Sequence, residues 1–251
     1  MFTFESVPVK FVGLIVLFAF CVVWSVVELA RGRTAEQRAS NALHVLMSVV
    51  MLLMVPRETW LPLRDLVGMP ALIGVFVAGV GWFGWLALRP GRTAGERRHF
   101  AGHAAMFAAM AWHLAAMMVK HQTMASSGPT PIAPGAGMGG ASSGPAWWAA
   151  VVGVPFMAYL LVAGVSDVVR ALRPAPDRRP AAALVHAGAP GTSAQPFAPT
   201  SAEALCHEPH PAAHPTWRLH HLAGAAMNLG MFWMSTGLLV PVAPFMALFA
   251  F

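Results

Sequence analysis

Methionine and histidine side chains recur at helical spacing in three segments of the chain. The protein has 16 Met and 11 His among 251 residues, but a single Tyr. Spacings of three, four and seven residues place side chains on one face of an α-helix, because each residue turns the helix by about 100°. The three rows contain His44, Met47, Met51 and Met54; His99, His103, Met106, Met110, His113, Met117 and His121; and His220, Met227, Met231 and Met234. Each segment therefore presents a stripe of imidazole and thioether groups.

These stripes suit a soft metal ion. Thioether sulfur is a soft neutral donor and imidazole is a borderline one, so a set without nearby carboxylates favours Cu(I) over Zn²⁺, Mg²⁺ or Ca²⁺. Neutral donors from three helices can also stabilise a singly charged ion in a medium without water. A second cluster of candidate ligands lies in the polar sequence CHEPHPAAH and consists of Cys206, His207, His210 and His214. His113 is expected near the middle of the membrane, where an ionisable side chain indicates function.

The composition predicts that these stripes lie on membrane-spanning helices. Apolar residues make up 57% of the chain and charged residues only 10%, too few to cover a soluble globule of this size. Six stretches are apolar enough for a spanning helix, which predicts an all-α polytopic bundle forming a single domain over 1–251, built from three helical hairpins. The stretches are 8–30, 39–55, 67–88, 100–119, 147–169 and 222–240. The outer loop 126–145 and the Pro- and His-rich inner loop 174–216 are expected to be flexible.

The positions of the basic residues predict the orientation. Twelve of the 16 Lys and Arg residues follow the first, third and fifth predicted helices, and four lie on the opposite side. Since an excess of Lys and Arg in short loops marks the cytoplasmic side, both termini are predicted to lie outside the plasma membrane. The formal net charge of +6 is therefore explained by the basic loops that set the membrane orientation. For this reason we expect no binding of nucleic acid.

Packing offers a simpler explanation for each of these residues. Met fills gaps in helix interfaces, and a His at a helix end often bonds a backbone carbonyl. Ser48 and Asn228 are expected to form interhelical hydrogen bonds rather than to bind metal. Glu28 and Asp167, at inner helix ends, are expected to pair with nearby Arg residues.

Two further functions stay open beside Cu(I) binding. A b-type cytochrome would hold haem between His44 and His103, or between His103 and His220. A structural or accessory subunit would use the stripes only for packing. No paired nucleophile and base, HExxH sequence or phosphate-binding loop is present, so the sequence favours a protein that is not an enzyme.

Two of the stripes also resemble a known family. The runs NALHVLMSVVMLLMVP (41–56) and HAAMFAAMAWH (103–113) are similar to the HxxMxxxM segments of an uncharacterised actinobacterial family of polytopic membrane proteins with a domain of unknown function. The resemblance covers most of the spanning region and implies a multi-helix membrane protein. The positions that would carry the family pattern are His44, Met47, Met51, His103, Met106 and Met110. The long inner loop departs from that pattern, and the resemblance implies no activity.

The leading hypothesis from the sequence is a membrane protein that binds Cu(I) between its second, fourth and sixth spans, for transport, buffering or delivery. Its expected partners are the lipid bilayer and a copper chaperone or membrane cuproenzyme. A homo-oligomer also stays open.

Overall fold

The described part of the chain is entirely helical. The computed structural model describes residues 8–126, 144–173 and 215–249, and these contain no strand. The helices are α1 (Pro8–Arg31), α2 (Ala35–Met54), α3 (Arg57–Val67), α4 (Met69–Leu88), α5 (Ala94–Ser126), α6 (Pro145–Leu172) and α7 (Pro215–Ser235), followed by 3₁₀ turns at Thr236–Leu238 and Pro244–Phe249. The predicted all-α class is confirmed for these residues. Both loops predicted to be flexible fall almost wholly outside them, as does the cluster formed by Cys206, His207, His210 and His214.

Helices that follow one another in sequence pack as antiparallel pairs. The most extensive packing lies within the pairs α4 and α5, α6 and α7, and α1 and α2. In addition, α5 packs on α6 and α1 packs on α7, which joins the three pairs into one bundle. The ends of α1, α4 and α6 therefore lie at the same end of the bundle as the starts of α2, α5 and α7. We call this the Arg-rich end, because it carries the predicted inner loops.

Helices α1, α4 and α6 differ from α2, α5 and α7 in the side chains that they expose. Apolar side chains point outward from α1, α4 and α6; Val9 and Val162, for example, are 78% and 65% exposed. The Met residues of the stripes on α2, α5 and α7 are buried or half-buried, and Met47, Met51 and Met110 are fully buried. The uneven distribution of Met among the helices thus coincides with the division between an inner and an outer set.

Four helices, not six, are long and apolar enough to span a membrane. Within the described residues they are α1, α4, α6 and the segment Ala94–Thr123 of α5. The two that fall short, α2 and α7, carry polar side chains over their first half, such as Glu36 and Asn41 on α2 and Arg218 on α7. The prediction of six apolar spans is therefore wrong in number. The low apolar content of α2 and α7 has a physical cause. They are inner helices, which need fewer apolar side chains than helices with a large outward face.

Helix α3 was not predicted from the sequence. It occupies the stretch between the second and third predicted spans, where its 11 residues are far too few to cross a membrane. Trp60 attaches α3 to the bundle and is 1% exposed. Gly68 then joins α3 to α4 with a φ of 82°, a left-handed conformation that glycine adopts without steric strain.

Helices α2 and α5 start earlier than predicted because their first turns are capped. Thr34 accepts a hydrogen bond from the Gln37 amide, and the Gln37 side chain accepts one from the Thr34 amide, which forms a capping box. Thr93 and Glu96 exchange the equivalent bonds at the start of α5. Glu36 also pairs with Arg89 at 2.9 Å, which ties the start of α2 to the end of α4.

Candidate functional site

A cavity of about 340 Å³ lies between α1, α2, α5, α6 and α7 at the Arg-rich end. Its wall includes buried residues such as Glu28 and His44 as well as the exposed Arg98 and Arg170. The cavity therefore leads from the surface into the bundle. Six of the predicted metal ligands line it, from all three striped helices: His44, His99, His103, Met106, His220 and Met227.

Three of these histidines form a hydrogen-bonded series. The His44 Nε2 atom lies 2.9 Å from His103 Nδ1, and His103 Nε2 lies 3.1 Å from His99 Nε2. The ring centroids are 4.6 Å apart for the first pair and 4.5 Å apart for the second. Residues His99 and His103 meet because they are four apart on α5, whereas His44 approaches from α2.

A backbone carbonyl sets the direction of these hydrogen bonds. The His44 Nδ1 atom lies 2.8 Å from the Ser40 carbonyl oxygen, which can only accept, so Nδ1 carries the proton. In the neutral series, His44 Nε2 then accepts from His103 Nδ1–H, and His103 Nε2 accepts from His99 Nε2–H. Ligating histidines in metal proteins are commonly held by such a bond from the second ring nitrogen to a carbonyl. The Ser40 carbonyl thus fixes both the ring orientation and the tautomer of His44.

Carboxylates also line the cavity, contrary to the expectation from the sequence. Glu28, which is 1% exposed, and Asp167 are both lining residues. The expected pairing of Asp167 with arginine is present, at 3.8 Å from Arg170, but a closer partner is His221 Nδ1 at 3.2 Å. The His and Met spacing did not assign Glu28 and Asp167 to the site because α1 and α6 carry no row of His or Met. The signal available in the sequence was a carboxylate close to the end of an otherwise apolar helix.

Two glycines let α6 reach the histidine-bearing helices. A Cβ on Gly224 of α7 would lie 2.7 Å from Asp167 Oδ2, so only glycine leaves room for that carboxylate. A Cβ on Gly102 would lie 3.1 Å from the Tyr159 hydroxyl, which donates a 2.8 Å hydrogen bond to the Gly102 carbonyl. Both contacts lie in the cavity wall and hold α6 against α5 and α7.

Two buried asparagines line the cavity, and each donates a hydrogen bond to a backbone carbonyl. The Asn41 Nδ2 group donates to the Glu28 carbonyl at 2.8 Å, and Asn228 Nδ2 donates to the Gly224 carbonyl at 3.0 Å. The Oδ1 atoms of both residues are buried and have no hydrogen-bond partner among the described residues. The expected interhelical bond of Asn228 is thus replaced by one within α7, whereas Ser48 does lie 3.4 Å from Ser25 of α1.

The remaining predicted ligands do not line the cavity. Met54 and Met110 are at most 2% exposed and pack within the apolar core, as do four others. The six core residues are Met47, Met51, Met54, Met110, Met231 and Met234. Met117 is half-buried against this core, and His121 is exposed. A metal-binding role for these eight residues stays a prediction.

His113 belongs to a separate polar cluster in the other half of the bundle. Its Nδ1 atom lies 2.7 Å from the Ser235 hydroxyl, and both residues are at most 3% exposed. The neighbouring Thr236 accepts a 3.2 Å hydrogen bond from the buried Lys10 ammonium group. The stripe on α5 therefore joins two different polar sites, with the Met-rich core between them.

Histidine and carboxylate ligands alone do not make a metal site in the described residues. No three His, Cys, Asp or Glu side chains in these ranges are grouped so that they could hold a metal ion. A metal ion in the cavity would thus need thioether donors, such as Met106 and Met227, beside the imidazoles. For haem, the direct contact of the His44 and His103 rings leaves no room for a porphyrin between them.

The sequence matches one family over most of its length. A family described as Domain of unknown function (DUF5134) matches residues 36–236, which include all the cavity-lining residues of α2, α5, α6 and α7. The chain belongs to the DUF5134 family. The expectation of an uncharacterised family is thereby confirmed. Comparison of this DUF5134 protein with curated proteins and with solved structures gives no match.

Proposed function

We propose that this protein is an integral membrane protein that binds Cu(I) in the cavity at its Arg-rich end. The observation that carries the proposal is the convergence of imidazole and thioether groups from α2, α5 and α7 on one cavity. Sequence spacing placed these groups on single helix faces, and spacing alone does not require the three faces to meet.

The donor chemistry supports a soft ion in spite of the carboxylates. Asp167 already lies 3.8 Å from the Arg170 guanidinium group, which carries the opposite charge. Imidazole nitrogen and thioether sulfur are the donors that Cu(I) prefers, and Met106 and Met227 can complete a set begun by the histidines.

The histidine series indicates how the ion would bind. If the proton of His99 moves from Nε2 to Nδ1, the Nε2 lone pairs of His99 and His103 both face the space between them. Cu(I) would then take the place of the hydrogen bond between the two rings, while His44 stays oriented by the Ser40 carbonyl. The exchange changes a tautomer and leaves the number of protons on the imidazoles unchanged.

The proposal also includes which helices cross the membrane and which end of the bundle faces the cytoplasm. Helices α1, α4, α5 and α6 would cross the membrane, with α2 and α7 packed beside them as inner helices. The Arg-rich end would face the cytoplasm, with both termini outside. The cavity would then receive Cu(I) from a cytoplasmic chaperone, or deliver it toward a membrane cuproenzyme.

Accessibility of single cysteines tests this orientation. In a background with Cys21→Ala and Cys206→Ser, an Arg97→Cys variant should react with a membrane-impermeant maleimide only after the cytoplasmic side is opened. A Lys120→Cys variant, near the other end of α5, should react in intact cells. Both positions are exposed in the structure. The reverse pattern would show that the Arg-rich end lies outside.

Competition for metal tests the proposed binding itself. The full chain, purified in mild detergent, should retain Cu(I) against a chromogenic Cu(I) chelator and should bind Zn²⁺ at least about 100-fold more weakly, because thioether donors contribute little to zinc. Loss of all Cu(I) to the weakest chelator in a graded series would overturn the proposal. Preferential retention of Zn²⁺ would show that the carboxylate side of the cavity dominates.

A further inference from the structure

We infer that an anionic phospholipid binds at the mouth of the cavity, with its phosphate group on three arginine side chains. These are Arg98 of α5, Arg170 of α6 and Arg173, the residue that follows the last turn of α6, and we call them the mouth arginines. Arg98 and Arg170 both line the cavity, and all three residues are exposed. The inference requires a membrane-embedded bundle and does not depend on Cu(I) binding.

Arg173 continues the lipid-facing side of α6. Val162, Val169 and Arg173 follow one another at intervals of seven and four residues, so they lie on one helix face. Val162 and Val169 are 65% and 40% exposed, which makes this face the outward side of the helix. Arg173 comes one turn after Val169, where α6 ends. The apolar face of α6 therefore ends in a guanidinium group, at the level of the lipid headgroups.

Arg170 lies on the adjoining side of α6, which packs against α5. Tyr159, Ser166 and Arg170 have the same intervals of seven and four residues, and all three line the cavity. The Tyr159 hydroxyl donates a 2.8 Å hydrogen bond to the Gly102 carbonyl of α5, so this side of α6 faces α5. Arg98 lies one helical turn nearer the Arg-rich end than Gly102. Arg98 and Arg170 thus belong to neighbouring helices at the same mouth.

The chemistry of the mouth suits the phosphate of a lipid. Arg170 and Arg173 are three residues apart, a spacing that places Cβ atoms on a helix about 5–6 Å from each other, so both side chains can contact one phosphate group. Guanidinium groups bind phosphate oxygens through paired N–H donors. A phospholipid also supplies acyl chains for the exposed face with Val162 and Val169, which a soluble phosphate leaves uncovered.

The mouth carries an excess of positive charge. Arg170 lies 3.8 Å from Asp167, but its side chain is 61% exposed, and ion pairs at such exposed positions contribute little. Arg98 and Arg173 form no ion pair within residues 8–126, 144–173 and 215–249. Glu28, the other carboxylate of the lining, is 1% exposed and belongs to α1, whose main packing partners are α2 and α7. The mouth arginines are therefore open to an anionic ligand.

Thermal unfolding of the full chain in non-ionic detergent tests this inference. Added phosphatidylglycerol should raise the unfolding midpoint by about 5 °C relative to the same amount of phosphatidylcholine, and the rise should saturate with concentration. Glycerol phosphate without lipid distinguishes a soluble phosphate from a headgroup. Equal midpoints in the two lipids would overturn the inference. An equal rise with glycerol phosphate alone would also overturn it, since no lipid would then be required.

Substitutions locate the effect at the mouth. Arg173→Gln should reduce the rise to about half, and Arg170→Gln combined with Arg173→Gln should abolish it, because each change removes a donor to the phosphate. Arg89→Gln is the matched control, since it removes the same charge from an exposed position at the same end of the bundle, where Arg89 is paired with Glu36 at 2.9 Å. An unchanged rise in the double variant, or an equal loss in Arg89→Gln, would contradict the inference.

Discussion

A His103→Leu variant is expected to bind Cu(I) about 100-fold more weakly than the unchanged protein, or to lose binding altogether. His103 is the middle member of the imidazole series and contacts both His44 and His99, at 2.9 Å and 3.1 Å. Its removal takes away one donor and also leaves the other two rings without the neighbour that positions them. Competition with a Cu(I) chelator measures the loss, and circular dichroism establishes that the variant is folded.

Two substitutions serve as controls for this prediction. His121→Leu removes an exposed histidine at the far end of the same helix, and Met110→Leu replaces a core thioether that does not line the cavity. Neither should change the affinity for Cu(I) at the cavity by more than about threefold, which is under 1 kcal/mol. Equal affinities of His103→Leu and His121→Leu would contradict the proposed site.

The second large effect concerns the packing of α6 on α5. A Gly153→Leu variant should be destabilised by about 3 kcal/mol, because overpacking a tight contact forces side chains and backbone to move. A Cβ at Gly153 would overlap the indole ring of Trp112. That ring is 8% exposed and its Nε1 donates a 2.8 Å hydrogen bond to the Ala149 carbonyl, so it cannot move without loss. Thermal unfolding in detergent measures the effect.

Gly74→Leu is the matched control for this helix contact. Gly74 lies on the outward face of α4, and a Cβ there meets no atom within 4 Å. The same increase in side-chain size should therefore leave the unfolding midpoint unchanged or raise it slightly, since glycine is a poor helix former. A similar loss of stability in both variants would show that chain flexibility, rather than the contact with Trp112, determines the result.

The structure divides the methionine stripes into two parts. Met106 and Met227 line the cavity beside histidines, whereas Met47, Met51 and Met110 fill the core between the inner helices. Sequence spacing could not separate these parts, because both lie on the same helix face. What distinguishes them is depth along the helix axis relative to the cavity, which depends on how neighbouring helices are positioned.

The sequence by itself determined the helical class, an apolar content that fits a membrane-embedded protein, and the helix faces on which the histidines lie. These properties follow from local rules, namely apolar length and the helical period. The positions of His44, His99 and His103 on inward faces were predictable for the same reason. The sequence also predicted that α2 and α7 belong to the bundle. It did not show that they are less apolar than the other predicted spans because they lie inside the bundle.

Only the tertiary structure decided that the three stripes meet, and with what. The contact of His44 with His103 joins residues 59 positions apart. The approach of Asp167 to His221 spans 54 positions and requires a glycine at position 224. Asn41 and Asn228 line the cavity with side-chain amides that backbone carbonyls hold in place. Such contacts depend on the rotation and depth of whole helices, which residue spacing within one helix does not specify.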